Sequence, residues 1–327
     1  MEKQSQVKRS LGIGVLTSGG DSPGMNAAIR AVIRSGLRDG HSMYAIYNGY
    51  RGLVQGQIEK VDRSFVSQTI NRGGTILRSA RLPEFVKESV QLNAIETLKR
   101  FHIDALVVIG GDGTYRGAKD LSSRGINCIG LPGTIDNDIA STDYTIGFDT
   151  TLNTIVQAVD KLRDTTFSHQ RCSIIEVMGN RSGDLAVHAG LACGAELVIS
   201  SEHLLPMEEV IARLSFQKES SKNHAMMIVS EKLFDLDELA TLIATKTGFE
   251  VRTEVLGRIQ RGGSPSAFDR ILATRMGDYA IACLNQGKSS RCIGVRGNTL
   301  IDLDIDEALT LPRRPADHIV GVIDRVK

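Results

Sequence analysis

The 327-residue chain contains no tryptophan, and only 5% of its residues are aromatic. Platforms for stacking nucleobases are therefore not expected. Neither sign of charge dominates: Lys and Arg number 39, Asp and Glu 38, for a formal net charge of +1. No basic run stands out, so bulk charge gives nucleic acid no foothold and none is expected as a partner. No apolar stretch approaches the roughly 20 residues of a membrane span, so no membrane partner is expected either. Residues 1–10 are polar and lack the apolar core of a secretory signal. The five cysteines, Cys128, Cys172, Cys193, Cys283 and Cys292, are odd in number, scattered and without CxxC spacing. They argue against a disulfide framework and against a zinc site, and the expected compartment is cytoplasmic.

What is present is ordinary in bulk and distinctive in detail. Hydrophobic residues make up 41% and charged residues 24%, as in a soluble globular protein. The length exceeds the roughly 250–300 residues at which single cores stop growing, which predicts one large or two interleaved α/β domains. The 33 glycines cluster where short apolar runs give way to helical patterns. Leu11–Leu16 leads through Thr17-Ser18-Gly19-Gly20-Asp21 to a helix over Met25–Leu37. Ala105–Ile109 leads through Gly110–Gly113 to a helix over Tyr115–Leu121, and Cys128–Leu131 leads into Pro132–Asp138. In the second half, strands are predicted at Ser173–Val177, Ala225–Val229 and Arg252–Leu256. Helices are predicted at Phe148–Asp164, Asp184–Cys193, Asp235–Thr245 and from Ala267. Such alternation reads as βαβ units with buried parallel strands, whose ligands bind beyond the carboxyl ends. The first nine residues are expected to form a frayed tail.

Three loops invite chemistry. Gly19-Gly20 follows a strand and opens a helix, where backbone N–H groups and the helix dipole favour an anion. It is no Walker A loop, because Gly20 and Asp21 follow Gly19 where Lys and Ser or Thr are needed; nor does a third glycine complete a dinucleotide fingerprint. A plain tight turn is the other reading. In the second loop Asp112 sits among Gly110, Gly111 and Gly113, followed by Thr114. A carboxylate there suits Mg²⁺ while the glycines admit a polyphosphate; an Asx turn is the bland alternative. In the third, Asp136 and Asp138 are one residue apart and would point the same way in extended backbone. Close carboxylates suit a general base and its positioner, but a capped polar turn has the same spacing, and spacing alone leaves both open. Arg261, ahead of Gly262-Gly263-Ser264-Pro265, is an arginine at a predicted strand end. His169, His188 and His224 lack ligand spacing and read as structural.

Together these loops resemble the bacterial ATP-dependent 6-phosphofructokinase family. The resemblance is carried by Leu16–Arg30, Val108–Gly113, Leu131–Asp138, Val177–Gly179, Val255–Gly257 and Ile259–Pro265, and runs from about Leu11 to about Ile301. A Gly-Gly-Asp-Gly loop also occurs in NAD and diacylglycerol kinases, whereas Leu131–Asp138 and Ile259–Pro265 are specific. The resemblance implies two Rossmann-like α/β/α domains with mostly parallel sheets. It divides them into an ATP-binding domain (1–147 and 260–310) and a sugar-phosphate-binding domain (148–259 and 311–327). The implied reaction moves the γ-phosphoryl of ATP, with Mg²⁺, to the 1-hydroxyl of fructose 6-phosphate, the committed step of glycolysis.

By the same resemblance Asp136 is the general base, with Thr134 and Asp138 orienting base and sugar. Gly20, Tyr50, Arg81, Leu82, Gly111, Asp112, Gly113 and Thr114 contact ATP, Asp112 also serving Mg²⁺. Arg171, Met178, Gly179, Glu231, Arg252, Arg258 and Arg261 complete the sugar-phosphate site. The counterparts of Arg171 and Arg252 come from a neighbouring subunit, which implies a homotetramer. An ADP or phosphoenolpyruvate site is implied at Arg30, Arg34, Arg63, Arg163, Glu196, Lys222 and His224. Four positions depart from the family pattern. Asn180 replaces an Arg, Arg258 a His, and Ser220 and Asn223 replace lysines, with Lys218 the nearby basic substitute. Sugar affinity and effector response are the properties they bear on.

Rival readings are a pyrophosphate-dependent relative, a non-catalytic sensor, and a lipid or dinucleotide kinase. Gly113 and Gly133 are expected to leave room for the nucleotide, against the first. Intact Asp112, Thr134, Asp136 and Asp138 speak against the second, and the Arg261 loop against the third.

Overall fold

The computed structural model describes residues 10–220 and 222–326. The expected N-terminal tail lies outside the described residues. In chain order come β1 (Gly12–Thr17), α1 (Met25–Arg38), β2 (Ser42–Ile46), α2 (Gly49–Gln55), β3 (Ile58–Val61), α3 (Glu88–Arg100), β4 (Ala105–Gly110), α4 (Asp112–Ser122) and β5 (Asn127–Pro132). Next are α5 (Phe148–His169), β6 (Cys172–Val177), α6 (Asp184–Cys193), β7 (Leu197–Ile199), α7 (Met207–Glu219), β8 (Ala225–Ser230), α8 (Leu236–Thr247) and β9 (Val251–Val255). The last are α9 (Ala267–Asn285), β10 (Arg291–Arg296), β11 (Thr299–Asp304), α10 (Ile305–Thr310) and α11 (Asp317–Val326). The chain divides into two units: Met1–Thr134 with Ile139–Gly147 and Gly263–Pro312, and Ile135–Asp138 with Phe148–Gly262 and Arg313–Lys327.

The first unit holds a seven-stranded sheet ordered β11-β10-β5-β4-β1-β2-β3. Its interior pairs are parallel, and β3 and β11 are antiparallel edges. Strand β4 shows why it is apolar along its whole length. Ala105, Val107 and Ile109 pack with α1 and α9 on one face, while Leu106 and Val108 pack with α2–α4 on the other. A parallel strand covered on both faces has no polar side to keep. The second unit repeats the scheme with four parallel strands in the order β7-β8-β6-β9. Ile175 and Val177 of β6 face one core and Cys172 and Ile174 the other. Among the described residues, no helix is long and apolar enough to cross a membrane.

Candidate active site

In the first unit the register sets Thr17 of β1 beside Ile109 of β4, and Gly110 beside Pro132 of β5. The first two predicted loops and the start of the third at Pro132 therefore open together at the carboxyl end of the sheet. Ser18 N–H donates to the Ile109 carbonyl (3.0 Å), and Thr114 Oγ1 donates to the Ser18 carbonyl (3.0 Å). Gly110 is required by this closeness: a Cβ there would stand 2.3 Å from the Ser18 carbonyl oxygen. Gly19 and Gly20 are exposed, and Ser79 Oγ donates to the Gly19 carbonyl at 2.6 Å. Asp112 lies in the first turn of α4, not before the helix, with its side chain 57% exposed and Arg116 at 4.0 Å. Arg81 is exposed and Leu82 half-buried. Tyr50 is buried, stacked on Phe85, and its hydroxyl donates to the Thr114 carbonyl (2.6 Å). Here it supports the loop from beneath.

The two glycines expected to make room for a nucleotide differ. Nothing lies within 4 Å of a Cβ built on exposed Gly113. A Cβ on buried Gly133 would meet Ile109 Cγ2 at 2.9 Å and Met25 Cε at 3.1 Å. Packing inside the unit already accounts for glycine at 133, whereas no contact within the chain explains glycine at 113. Thr134 belongs to this unit, its carbonyl accepting from Thr145 Oγ1 (2.7 Å).

Asp136 and Asp138 belong to the second unit. Asp136 is buried and Asp138 half-buried. The backbone between them is not extended, as the sequence reading assumed. Asn137 has φ +50°, so strand alternation does not set the two carboxylates on one face. The side chain of Asn137 donates to Asp184 Oδ2 at 2.9 Å, at the start of α6.

At the carboxyl end of the second sheet, Val177 pairs with Ser230 and Glu176 with Val255. This gathers Met178, Gly179 and Glu231. Asn180 N–H donates to Glu231 Oε1 (2.7 Å), and Lys232 Nζ donates to Asn180 Oδ1 (2.9 Å). Met178 N–H donates to Oε1 of fully buried Gln260 (3.1 Å). Gly179 has φ +140°, and a Cβ would stand 2.4 Å from the Ser182 carbonyl oxygen. Burial and the nearby Glu231 carboxylate push Glu176 above the usual carboxylate range. Exposed Arg258 and half-buried Arg261 occupy a 3₁₀ turn, Gly257–Arg261, rather than the strand end expected for Arg261.

Arg171 and Arg252 are not brought to these loops within the chain. Arg171 precedes β6, and Arg252 pairs with Ser173 near the amino ends of the strands. Both arginines grip Glu250, at 2.9 and 2.6 Å. The Arg171 hydrogen bond leads in holding that carboxyl below its ordinary range.

The residues of the implied effector site form two groups. In the first unit Arg30 is depressed by burial and then by the charges of Arg34 and Arg63. Arg34 Nε is buried with no hydrogen-bond partner among the described residues. In the second unit Lys222 pairs with Glu196, Arg163 donates to the Cys193 carbonyl, and buried His224 faces Phe167 edge-on. Ser220 Oγ caps the Gln217 carbonyl (2.7 Å), and Lys218 sits over the Phe249 ring at 4.7 Å. His188 bonds the Asp184 carbonyl through Nδ1 (2.8 Å), and His169 is exposed.

Asp184, Gln260 and Arg313 were missed by sequence reasoning. Gln260 stood inside a recognised motif and Asp184 at a predicted helix start. Arg313 carried no local signal, its partner Asp184 being 129 residues away.

Comparisons with known proteins identify the family. The family model for phosphofructokinase matches residues 12–284. The ATP-dependent 6-phosphofructokinase of Photobacterium profundum is 55% identical over 303 residues, covering 93% of this chain and 95% of its own length. That of Vibrio campbellii is 54% identical over the same shares. Among solved structures, phosphofructokinase from Saccharomyces cerevisiae superposes with a TM-score of 0.85 at 33% identity over 97% of this chain, which spans 47% of the yeast chain. A pyrophosphate-dependent phosphofructokinase from Marinobacter aquaeolei gives a TM-score of 0.85 at 21% identity, over 94% of this chain and 86% of that one, a likeness of fold alone. With its glycine-lined strand ends and its aspartate loop matched along nearly the whole length, the chain belongs to the phosphofructokinase family.

Proposed function

We infer that the chain transfers the γ-phosphoryl group of ATP to the 1-hydroxyl of fructose 6-phosphate, giving fructose 1,6-bisphosphate and ADP. The observation that carries this is the 55% identity to an ATP-dependent 6-phosphofructokinase over 95% of that protein's length. Phosphoryl transfer asks a protein mainly for positioning and charge neutralisation. The two units offer matching parts. The Gly19-Gly20 and Gly110–Gly113 loops present backbone to a polyphosphate, so ATP is assigned to the first unit, with Arg81 and Leu82 beside it. Glu231, Met178, Gly179, Arg258 and Arg261 are assigned to the sugar phosphate in the second.

Asp136 is proposed to take the proton of the attacking hydroxyl, with Asp138 and Thr134 orienting base and sugar. Burial of Asp136 limits competing water, which suits that role. Among the described residues no three His, Cys, Asp or Glu form a metal cage. One exposed carboxylate, Asp112, beside a phosphate-admitting loop nevertheless fits Mg²⁺, which keeps waters and substrate phosphates as its other ligands. Mg²⁺ there would neutralise phosphate charge. The five cysteines, all buried and unbridged, suit the reducing cytoplasm.

Two further parts of the reading concern assembly and control. Arg252 lies about 17 Å, five residues of strand, from the Glu231 end of the sheet, and Arg171, two residues before Ser173, lies about 23 Å from it. We therefore assign them to a neighbour's sugar-phosphate site in a homotetramer, with exposed edge strand β9 facing that neighbour. The crowded arginines Arg30, Arg34 and Arg63 suit an anionic effector such as ADP or phosphoenolpyruvate, together with Arg163, Glu196, Lys222 and His224.

The test is product identification. Fructose 6-phosphate with Mg-ATP should yield a 1,6-bisphosphate and ADP, seen by phosphorus NMR. Faster turnover with pyrophosphate than with ATP would reverse the donor assignment. No product with either donor would favour a sensor.

A further inference from the structure

The aspartate loop is held from the far end of the chain. Arg313, ahead of α11, reaches Glu202 through Nη1, and Asp184 and Ser182 Oγ through Nη2, the last at 2.6 Å. Each carboxylate uses its remaining oxygen elsewhere. Glu202 Oε2 accepts from Gly183 N–H (2.6 Å) and Ser201 Oγ (2.8 Å). Asp184 Oδ2 accepts from the Asn137 side chain (2.9 Å). The cluster is buried at its centre, with Asp184 7% exposed and Ser182 1%, while Arg313 and Glu202 are half-buried. It ends on a residue in an unusual conformation, since Asn137 has φ +50°. A non-glycine residue there persists when its surroundings over-determine it. Any turn of the Asn137 backbone re-aims Asp136 on one side and Asp138 on the other.

We propose that Arg313 is a positioning residue for catalysis, fixing Asp136 and Asp138 through Asp184 and Asn137. This rests on the reading that Asp136 is the general base. The guanidinium fork suits the task because it donates to several acceptors in fixed directions, whereas Lys offers a point charge. Without that cation, Asp184 and Glu202 lose the guanidinium they share, and buried Asp184 is left unneutralised, so it moves or protonates. Either response withdraws Asp184 from Asn137 and lets the loop turn.

The test uses Arg313→Met, Arg313→Lys, Asn137→Gly and the double variant Arg313→Met/Asn137→Gly in the full-length enzyme. Glycine at 137 removes the side-chain bond without straining the backbone. Arg313→Met and Asn137→Gly should each lower kcat about tenfold, by misplacement of the base, with KM for ATP within about twofold. Because both act on one element, the double variant should fall no further than the weaker single variant. Arg313→Lys should recover part of the loss. A thermal midpoint that drops while kcat of the folded protein stays at the parent value would overturn the proposal, as would losses that multiply in the double variant. If Arg313→Met does not fold, Arg313→Lys and Asn137→Gly decide alone. Amide exchange at Asn137–Ile139 separates this from the functional reading. Were the parent inactive on fructose 6-phosphate, faster exchange there in Arg313→Lys would still uphold the positioning role, and unchanged exchange would refute it.

Discussion

Arg252 and Glu231 stand at opposite ends of the same four-stranded sheet: Arg252 pairs with Ser173 at the start of β6, and Glu231 follows Ser230, which pairs with Val177 at its end. At that far end Arg252 is held by Glu250, away from Glu231, which is why it is proposed to serve a neighbour's site. Mixed and reassembled Asp136→Asn and Arg252→Ala subunits, each inactive alone, should therefore regain part of the activity, because some hybrid sites hold both intact residues. Absence of recovery despite proven subunit exchange would remove Arg252 from a shared site.

Gly113 and Gly133 should separate donor use from stability. Gly113→Asp meets no protein atom within 4 Å of its Cβ, so folding should be unchanged. Its charge beside the polyphosphate should lower kcat/KM for ATP by about 10–100-fold, or about 1.4–2.7 kcal/mol. Gly133→Ala crowds Ile109 and Met25 and should cost about 1–3 kcal/mol of stability. Thermal melts and ATP kinetics on both variants check the contrast. An unaltered ATP kcat/KM in Gly113→Asp would refute the donor argument.

Much of this was legible in the sequence, for identifiable reasons. Strands β4 and β5 are buried on both faces and so read as unbroken apolar runs. Helix α6 forms over the residues expected, Asp184–Cys193, between Gly183 and Gly194. Strands β2 and β3 escaped notice because they lie toward an edge, and Glu59 and Lys60 interrupt the apolar pattern. Helix α7 buries only Val210 and Leu214 and leaves little periodicity to find. The geometry of the Asp136–Asp138 loop was not legible. Asn137 takes its left-handed conformation beside a bond to Asp184, a long-range contact with no local trace.

Effector response should be weak. Ser220 and Asn223 stand where lysines are usual, and Lys218 lies over the Phe249 ring. Lost charge-assisted contacts are comparable to the whole of a typical allosteric coupling, about 1–3 kcal/mol. Titration of ADP at sub-saturating fructose 6-phosphate should show blunted activation, restored in Ser220→Lys/Asn223→Lys. Strong activation of the parent at micromolar ADP would sink the idea.

Asp302 should make stability depend on pH. Its side chain is 8% exposed and meets Lys288 (2.7 Å), Arg291 (2.7 Å) and the Tyr279 hydroxyl (2.9 Å). Burial raises its pKa, but these three donors together outweigh that and leave it below the ordinary value. A lowered carboxyl pKa contributes stability above the unfolded value of about 3.9 that is lost as pH falls through the folded one. Asp302→Asn should cost about 2 kcal/mol at pH 7, and the gap should close on acidification below about pH 4. Melts across that range check it, and a gap independent of pH would contradict it.

The most direct measurement compares Asp136→Asn with the parent in initial rates over fructose 6-phosphate and Mg-ATP. Removal of a general base should lower kcat by about 10²–10⁴-fold while both KM values stay within a few-fold. Turnover within a few-fold of the parent would show that the buried aspartate is not the base.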